Sequence, residues 1–216
     1  MFISGSRQID SLPEELEERI ANIVDQDIPV LIGDSERGVD ARIAEDLRKR
    51  KYTNVTVYTI HDTPRIKVPE DWDIVQVSPK AEEKSSEDGK PRKQKERETE
   101  KDRAMGDACK YGLIVWQDTY MHPRYGQLSV SSGSLRNAIQ LLLNNKPVVL
   151  YRRYRDEFGD TLFSLRELKD IEDLQELVKS LEEIVQKRFE KLLKAEEEHL
   201  KAGEQLALDF SEDTEE

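Results

Sequence analysis

Short apolar runs recur along this chain, separated by longer segments whose apolar residues repeat at helical spacing. That alternation is the pattern of parallel βαβ units, and it restricts the fold class more than any other feature. The runs are Phe2-Ile3-Ser4, Pro29 to Ile32, Val55 to Tyr58, Gly112 to Trp116 and Val148 to Tyr151. Between the first two, Asp10 or Ser11 is placed to cap a helix opened by Pro13, with Leu16, Ile20 and Ile23/Val24 on one face. Val39, Ile43, Ala44 and Leu47 give the next helix its inward stripe, Arg103 to Cys109 closes another, and Ser134 to Leu143 is helical again. Residues 1–155 thus predict one α/β domain with a Rossmann-like, doubly wound, mainly parallel sheet.

Two stretches fall outside the rhythm. Residues 79–100 are rich in Lys, Glu, Ser and Arg and read as a charged, solvated insertion running into the helix before Met105. Residues 156–204 read as a long helical extension. Ser164 and Glu167 fit a capping box, and Ile171, Leu174, Val178, Leu181, Val185 and Leu192 form an apolar stripe at near-heptad spacing. That stripe either docks on the domain or joins two chains, and the sequence reading leans to a homo-oligomer. Residues 205–216 read as an acidic, flexible tail. With 36 % hydrophobic and 37 % charged residues, the chain is too polar for two full cores.

The net charge of −12 argues against a partner such as duplex DNA, whose phosphate backbone is bound by excess Lys and Arg. Cys109 is the single cysteine, which excludes an internal disulfide and suits a reducing compartment. The amino terminus lacks the basic-then-apolar pattern of a secretory signal, and no apolar run is long enough to span a bilayer. The expected location is the cytoplasm, with no membrane partner.

Three loops after strands carry residue types suited to an anionic ligand. Gly5-Ser6-Arg7 offers amides, a hydroxyl and a cation, and Gly33 to Gly38 places two glycines before a helix start. Ser131-Ser132-Gly133-Ser134-Leu135-Arg136-Asn137 lies at another helix start. In a doubly wound sheet such loops meet at the carboxyl edge of the strands. Asp34 and Asp40 have two readings: holding a ribose hydroxyl or a metal-bound phosphate, or capping the helix that begins near Gly38. Arg65 reads as a solvated loop residue within reach of the same edge, and Trp116, at a strand end, as a half-buried core residue, with stacking on a base as its alternative.

Taken in order, Phe2-Ile3-Ser4-Gly5-Ser6-Arg7, Gly33-Asp34 with Gly38-Val39-Asp40, Lys101-Asp102-Arg103-Ala104-Met105, Asp107-Ala108 with Tyr111 to Trp116, and Ser132 to Asn137 resemble the SLOG superfamily. The likeness covers roughly residues 1–155 and is nearest to small bacterial and phage members of that superfamily. It also contains the LOG phosphoribohydrolases, the DNA-processing A proteins and nucleotide-sensing domains of antiphage systems. The resemblance implies a nucleotide or nucleotide-derived ligand held by Gly5, Ser6, Arg7, Gly33, Gly38, Gly133, Ser134 and Asn137. LOG enzymes place a glutamate just after a Gly-Gly-x-Gly-Thr loop; here the loop is Ser-Gly-Ser-Leu-Arg-Asn and no acid follows it. The expected function is therefore binding without turnover. Its alternatives are an N-glycosidase or phosphoribohydrolase acting on nucleotides, and a scaffold or adaptor without a small-molecule ligand.

Other chemistry fits less well. Gly33-Asp34-Ser35 is similar to the nucleophile block of GDSL-type esterases, but the Asp-x-x-His block of that family is missing. His61, His122, His199 and Cys109 have no metal-ligand spacing, so no metal site and no certain cofactor is predicted. Near the end, Gln205-Leu206-Ala207-Leu208-Asp209-Phe210 resembles the short peptides that bind the bacterial DNA sliding clamp. With Gly203 breaking the preceding helix, Leu206, Leu208 and Phe210 would enter an apolar groove while Gln205 supplies orienting hydrogen bonds. Such a partner implies a role in replication, repair or phage defence.

Overall fold

The computed structural model describes residues 1–77, 94–156 and 158–212, the last stretch without the side chains of residues 204 and 206–212. The first apolar runs become β1 (Phe2–Gly5), β2 (Val30–Gly33) and β3 (Val55–Thr59), with α1 (Glu14–Asp25) and α2 (Val39–Lys49) between them. β4 (Asp73–Gln76) and α3 (Gln94–Ala108) follow, then β5 (Gly112–Gln117), a small hairpin of β6 (Thr119–Met121) and β7 (Leu128–Val130), and α4 (Ser132–Leu143). The chain ends with β8 (Val148–Arg155), β9 (Thr161–Leu168), α5 (Ile171–Lys179) and α6 (Glu183–Glu212).

One seven-stranded sheet runs β4-β3-β2-β1-β5-β8-β9. Every pairing in it is parallel except that of β9, which returns antiparallel along β8. The strand order moves outward from β1 to β4 and then jumps back to β5. This reversal makes the β1/β5 junction the topological switch point, outside which open α/β sheets bind ligands.

Alternation along each strand divides the core between two faces. Ile3, Leu113 and Val115 meet Leu16, Ile20 and Ile23 of α1 and Val39, Ile43 and Leu47 of α2. Phe2, Ile114, Trp116, Val148 and Leu150 point the other way, into a cluster with Met105 of α3, Leu135 and Ile139 of α4, and the apolar residues of α5 and α6. Ile3, Trp116, Val115 and Phe2 are at most 1 % exposed, so both faces are dry.

Several expectations are corrected here. Pro13 is the N-cap of α1, with no side-chain cap from Asp10 or Ser11. Ser164 and Glu167 form no capping box; they lie in β9, opposite Arg152 and Val149 of β8. The helix that follows is capped by Asp170, whose carboxylate accepts the Asp173 amide at 3.0 Å. The stripe from Ile171 to Leu192 is split between α5 and α6. Leu174, Val178, Val185 and Leu192 are buried in the α4 face of the core, so the stripe docks on the domain instead of forming a seam between chains. Gly203 does not end α6. An isolated glycine costs a helix roughly 1 kcal/mol without stopping it, and the backbone stays helical through residues 205–210 to Glu212, where a flexible tail was expected. The side chains of Leu206, Leu208 and Phe210 lie outside the described residues. Of the expected insertion, residues 94–100 form the first turns of α3, and 79–93 lie outside the described residues. Among the described residues, no helix is long and apolar enough to cross a membrane.

Candidate functional site

β1 and β5 end side by side, with Gly5 paired to Val115, and the chain leaves them into loops on the same edge. At that edge Ser6 is 1 % exposed. Its Oγ lies 2.7 Å from Ser131 Oγ and 3.3 Å from Ser134 Oγ, and accepts the Gln117 amide at 2.9 Å. Beneath it, Asn137 sits 2.8 Å from the Ser4 hydroxyl. With its amide oxygen turned to Ser4, Asn137 donates to the Gly133 carbonyl at 3.2 Å and to Asp102 Oδ2 at 3.3 Å. These buried hydroxyls and amides bind the amino terminus of α4 to β1. Among the described residues no side chain caps that terminus, and its first amides have no partner within the helix.

A cavity of about 390 Å³ opens there, lined in part by Ser6, Arg7, Asp40, Lys101, Asp102 and Arg136. Gly5, Gly133, Ser134 and Asn137 also border it. Of the ten residues predicted to hold a ligand, the structure thus brings together Gly5, Ser6, Arg7, Asp40, Gly133, Ser134 and Asn137. The other three stand apart from this cavity. Gly33 lies behind Asp40, and a Cβ there would come within 2.7 Å of Asp40 Oδ2. Gly38, at φ +76°, turns the chain so closely over the first loop that a Cβ would overlap Arg7 and the Ser6 carbonyl. Asp34 is fully buried and engaged. It accepts from Arg65 Nη2 at 2.8 Å and Nε at 3.1 Å, and from Thr59 Oγ1 at 2.8 Å, with Lys101 Nζ 3.4 Å away. It caps no helix and does not line the cavity; it anchors the loop that carries Arg65. Arg65, expected to be solvated, bridges Asp34 and Glu98. Trp116 is fully buried, its Nε1 donating to the Ser131 carbonyl at 3.1 Å.

The site's charged centre was missed at the sequence level. Glu98, Lys101 and Asp102 enter from α3, on the face that continues inward to Met105. Their spacing (i, i+3, i+4, i+7) was the available signal: a core-facing stripe made of charges instead of apolar groups. Lys101 is 3 % exposed. Its ammonium lies 2.8 Å from Glu98, 3.4 Å from Asp34 and 4.0 Å from Asp102.

Burial and neighbouring charge pull these carboxyls in opposite directions. For Asp34, burial alone would raise the pKa, but hydrogen bonds from Arg65 and Thr59 and the charge of Lys101 hold it far below the usual carboxylate range. Glu98 is also held low, because Lys101 and Arg65 outweigh its burial. Burial prevails at Asp40, pushed up to about 6, and at Asp102, pushed up to about 7, against the pull of Lys101 on both. Asp40 Oδ1 has no hydrogen-bond partner among the described residues. Among the described residues no three His, Cys, Asp or Glu side chains are grouped to hold a metal ion.

No family model, curated protein or solved structure matches the chain. A larger cavity of about 800 Å³ lies at the opposite end of the sheet, where Met1, Ile28 and Tyr111 precede β1, β2 and β5. It lacks both the carboxyl strand ends and the buried polar cluster, so the candidate site is the cavity at the β1/β5 edge.

Proposed function

We propose that this cavity binds a nucleotide or a nucleotide-derived phosphorylated small molecule. One observation carries the reading: the loop after β1, the uncapped start of α4 and the charged face of α3 converge on one polar cavity at the switch point of the sheet. The amides at the start of α4, with Arg7 and Arg136, suit a phosphate. Asp40 and Asp102, acceptors deeper in the same cavity, suit ribose hydroxyls or the amino groups of a base.

A thermal-shift titration with AMP tests this, since a ligand of the folded state raises its stability with occupancy. Gly133 is the position for a blocking substitution, because nothing lies within 4 Å of a Cβ built there. Wild-type protein should be stabilised by AMP. Gly133→Leu and Arg7→Ala should lose most of that shift while melting within a few degrees of wild type in its absence. No shift with any nucleoside phosphate would reject the reading.

A second reading, cleavage of an N-glycosidic bond, is favoured by one feature. Two carboxyls whose ionisation falls near neutral pH border the cavity beside a buried lysine, as general acid–base chemistry requires. They come from α2 and α3, which supplies the acid that the α4 loop lacks. Release of free base from nucleoside monophosphates, abolished in Asp102→Asn with AMP binding retained, would establish turnover. Binding without release leaves the first reading standing.

A further inference from the structure

A second cavity, of about 490 Å³, shares Arg7 and Gln8 with the first. It lies over the loop that precedes α2 and the first turns of that helix, where Gly38 sets the path of the backbone. Its lining is rich in cations, unlike the chain as a whole, whose net charge is −12. Arg37, Arg42, Arg48 and Lys67 stand on its walls with Arg7.

The state of these groups decides what the cavity can hold. Of the opposing carboxylates, Glu45 is neutralised by Arg42 at 3.2 Å and Lys49 at 2.9 Å, leaving Asp10 and Glu36. Arg37 and Lys67 are exposed and make no ion pair among the described residues. Arg7, at the junction of the two cavities, has among the described residues only a 3.8 Å pairing with Glu98. The first cavity, by contrast, has Asp40 and Asp102 in its lining and a buried lysine already shared among carboxylates. The depth of one cavity is suited to hydroxyls and amines, and the walls of the other to negative charge.

We infer that the two cavities form one site for a nucleoside polyphosphate, with the nucleoside in the first cavity and the phosphate chain passing Arg7 to end between Arg37 and Lys67. This deepens the proposed function and rests on it. A single phosphate is already accommodated at the start of α4, so the second cavity gives the terminal phosphates of a longer chain their countercharge.

Isothermal titration of the full chain with AMP, ADP and ATP, at constant ionic strength, tests the inference in wild type and in the Arg37→Ala/Lys67→Ala double variant. Both substituted side chains are exposed, so the variant should fold like wild type, which its melting curve verifies. In wild type, affinity should rise at least tenfold from AMP to ATP. The double variant should bind AMP as wild type does, and ATP no more tightly than AMP. Equal affinity for the three nucleotides, or an ATP advantage that survives in the variant, overturns the inference and leaves the proposed function intact. Tight binding of a single-stranded oligonucleotide that depends on Arg37 and Lys67, with no ATP advantage, also overturns it. If none of the three nucleotides binds wild type, the proposed function fails and the inference with it.

Discussion

Gly38, folded over the loop after β1, and Gly133, beside the first cavity, act in opposite ways. Gly38 holds a positive φ against the Arg7 backbone, so a side chain there meets both conformational strain and overlap. Gly133 is in the first turn of α4 with open space before it. Gly38→Ala is expected to cost about 2 kcal/mol or more of unfolding free energy in urea titrations. Gly133→Ala should be neutral or stabilising by up to about 1 kcal/mol. Equal effects at both positions would contradict this assignment of roles. Both glycines were visible in the sequence as loop residues, yet spacing alone does not separate a glycine demanded by its own backbone from one with open space before it. Ser6, Ser134 and Asn137 show the same limit: their residue types signalled polarity, and the structure shows that much of it is used to join β1 to α4.

Among the elements, those with apolar runs buried on both faces were legible. β1, β2, β3, β5 and β8 lie where the sequence places strands, and α1, α2 and α4 where it places helices. β9 was misread for a physical reason. Leu162, Leu165 and Leu168 repeat every three residues, as on a helix, and Ser164 and Glu167 imitate a cap. As an edge strand β9 has little need of strict alternation, and Leu162 and Leu165 are more than two-fifths exposed. β4 is exposed throughout and left no burial pattern to find. α6 was expected, and of the two readings of its apolar stripe the structure shows docking on the domain, where the sequence reading leaned to a seam between chains. Phe189, 3 % exposed, lies with Val185 and Leu192 in the cluster under α4. Phe189→Ala should cost about 3–5 kcal/mol, read as a shift in urea midpoint. Glu196 secures the same helix through ion pairs with Arg103 at 3.0 Å and Arg136 at 3.2 Å. Because Arg136 also borders the cavity, Glu196→Gln should weaken AMP binding as well as lower stability, by about 1–3 kcal/mol. A loss of stability with unchanged AMP affinity would show that α6 is only a support.

For the molecule as a whole, the carboxyl cluster sets a pH dependence. Asp40 and Asp102 are raised above the ordinary carboxyl value near 4, so between pH 4 and 7 these two groups bind more protons in the folded chain than in the unfolded one. Their contribution to stability is complete below about pH 4 and is lost as pH rises through about 6 and 7. Asp34 and Glu98 work in the other direction: their contribution is present above pH 4 and is lost as pH falls through their lowered values. Asp102→Asn should therefore gain stability over wild type between pH 5 and pH 8, by on the order of 1 kcal/mol. Parallel pH profiles for the two proteins would contradict this. The division of the core between two sheet faces also bears on synthesis. Tyr151 is the last buried residue of the α1/α2 face, whereas the α4 face is completed only by Val185, Phe189 and Leu192. At roughly 5–20 residues per second, ribosomes need about 2–8 s to pass from Tyr151 to Leu192. During that interval a nascent chain can close one side of its sheet while α4 still shows its apolar flank, an opening for chaperones or for aggregation that ends when α6 emerges.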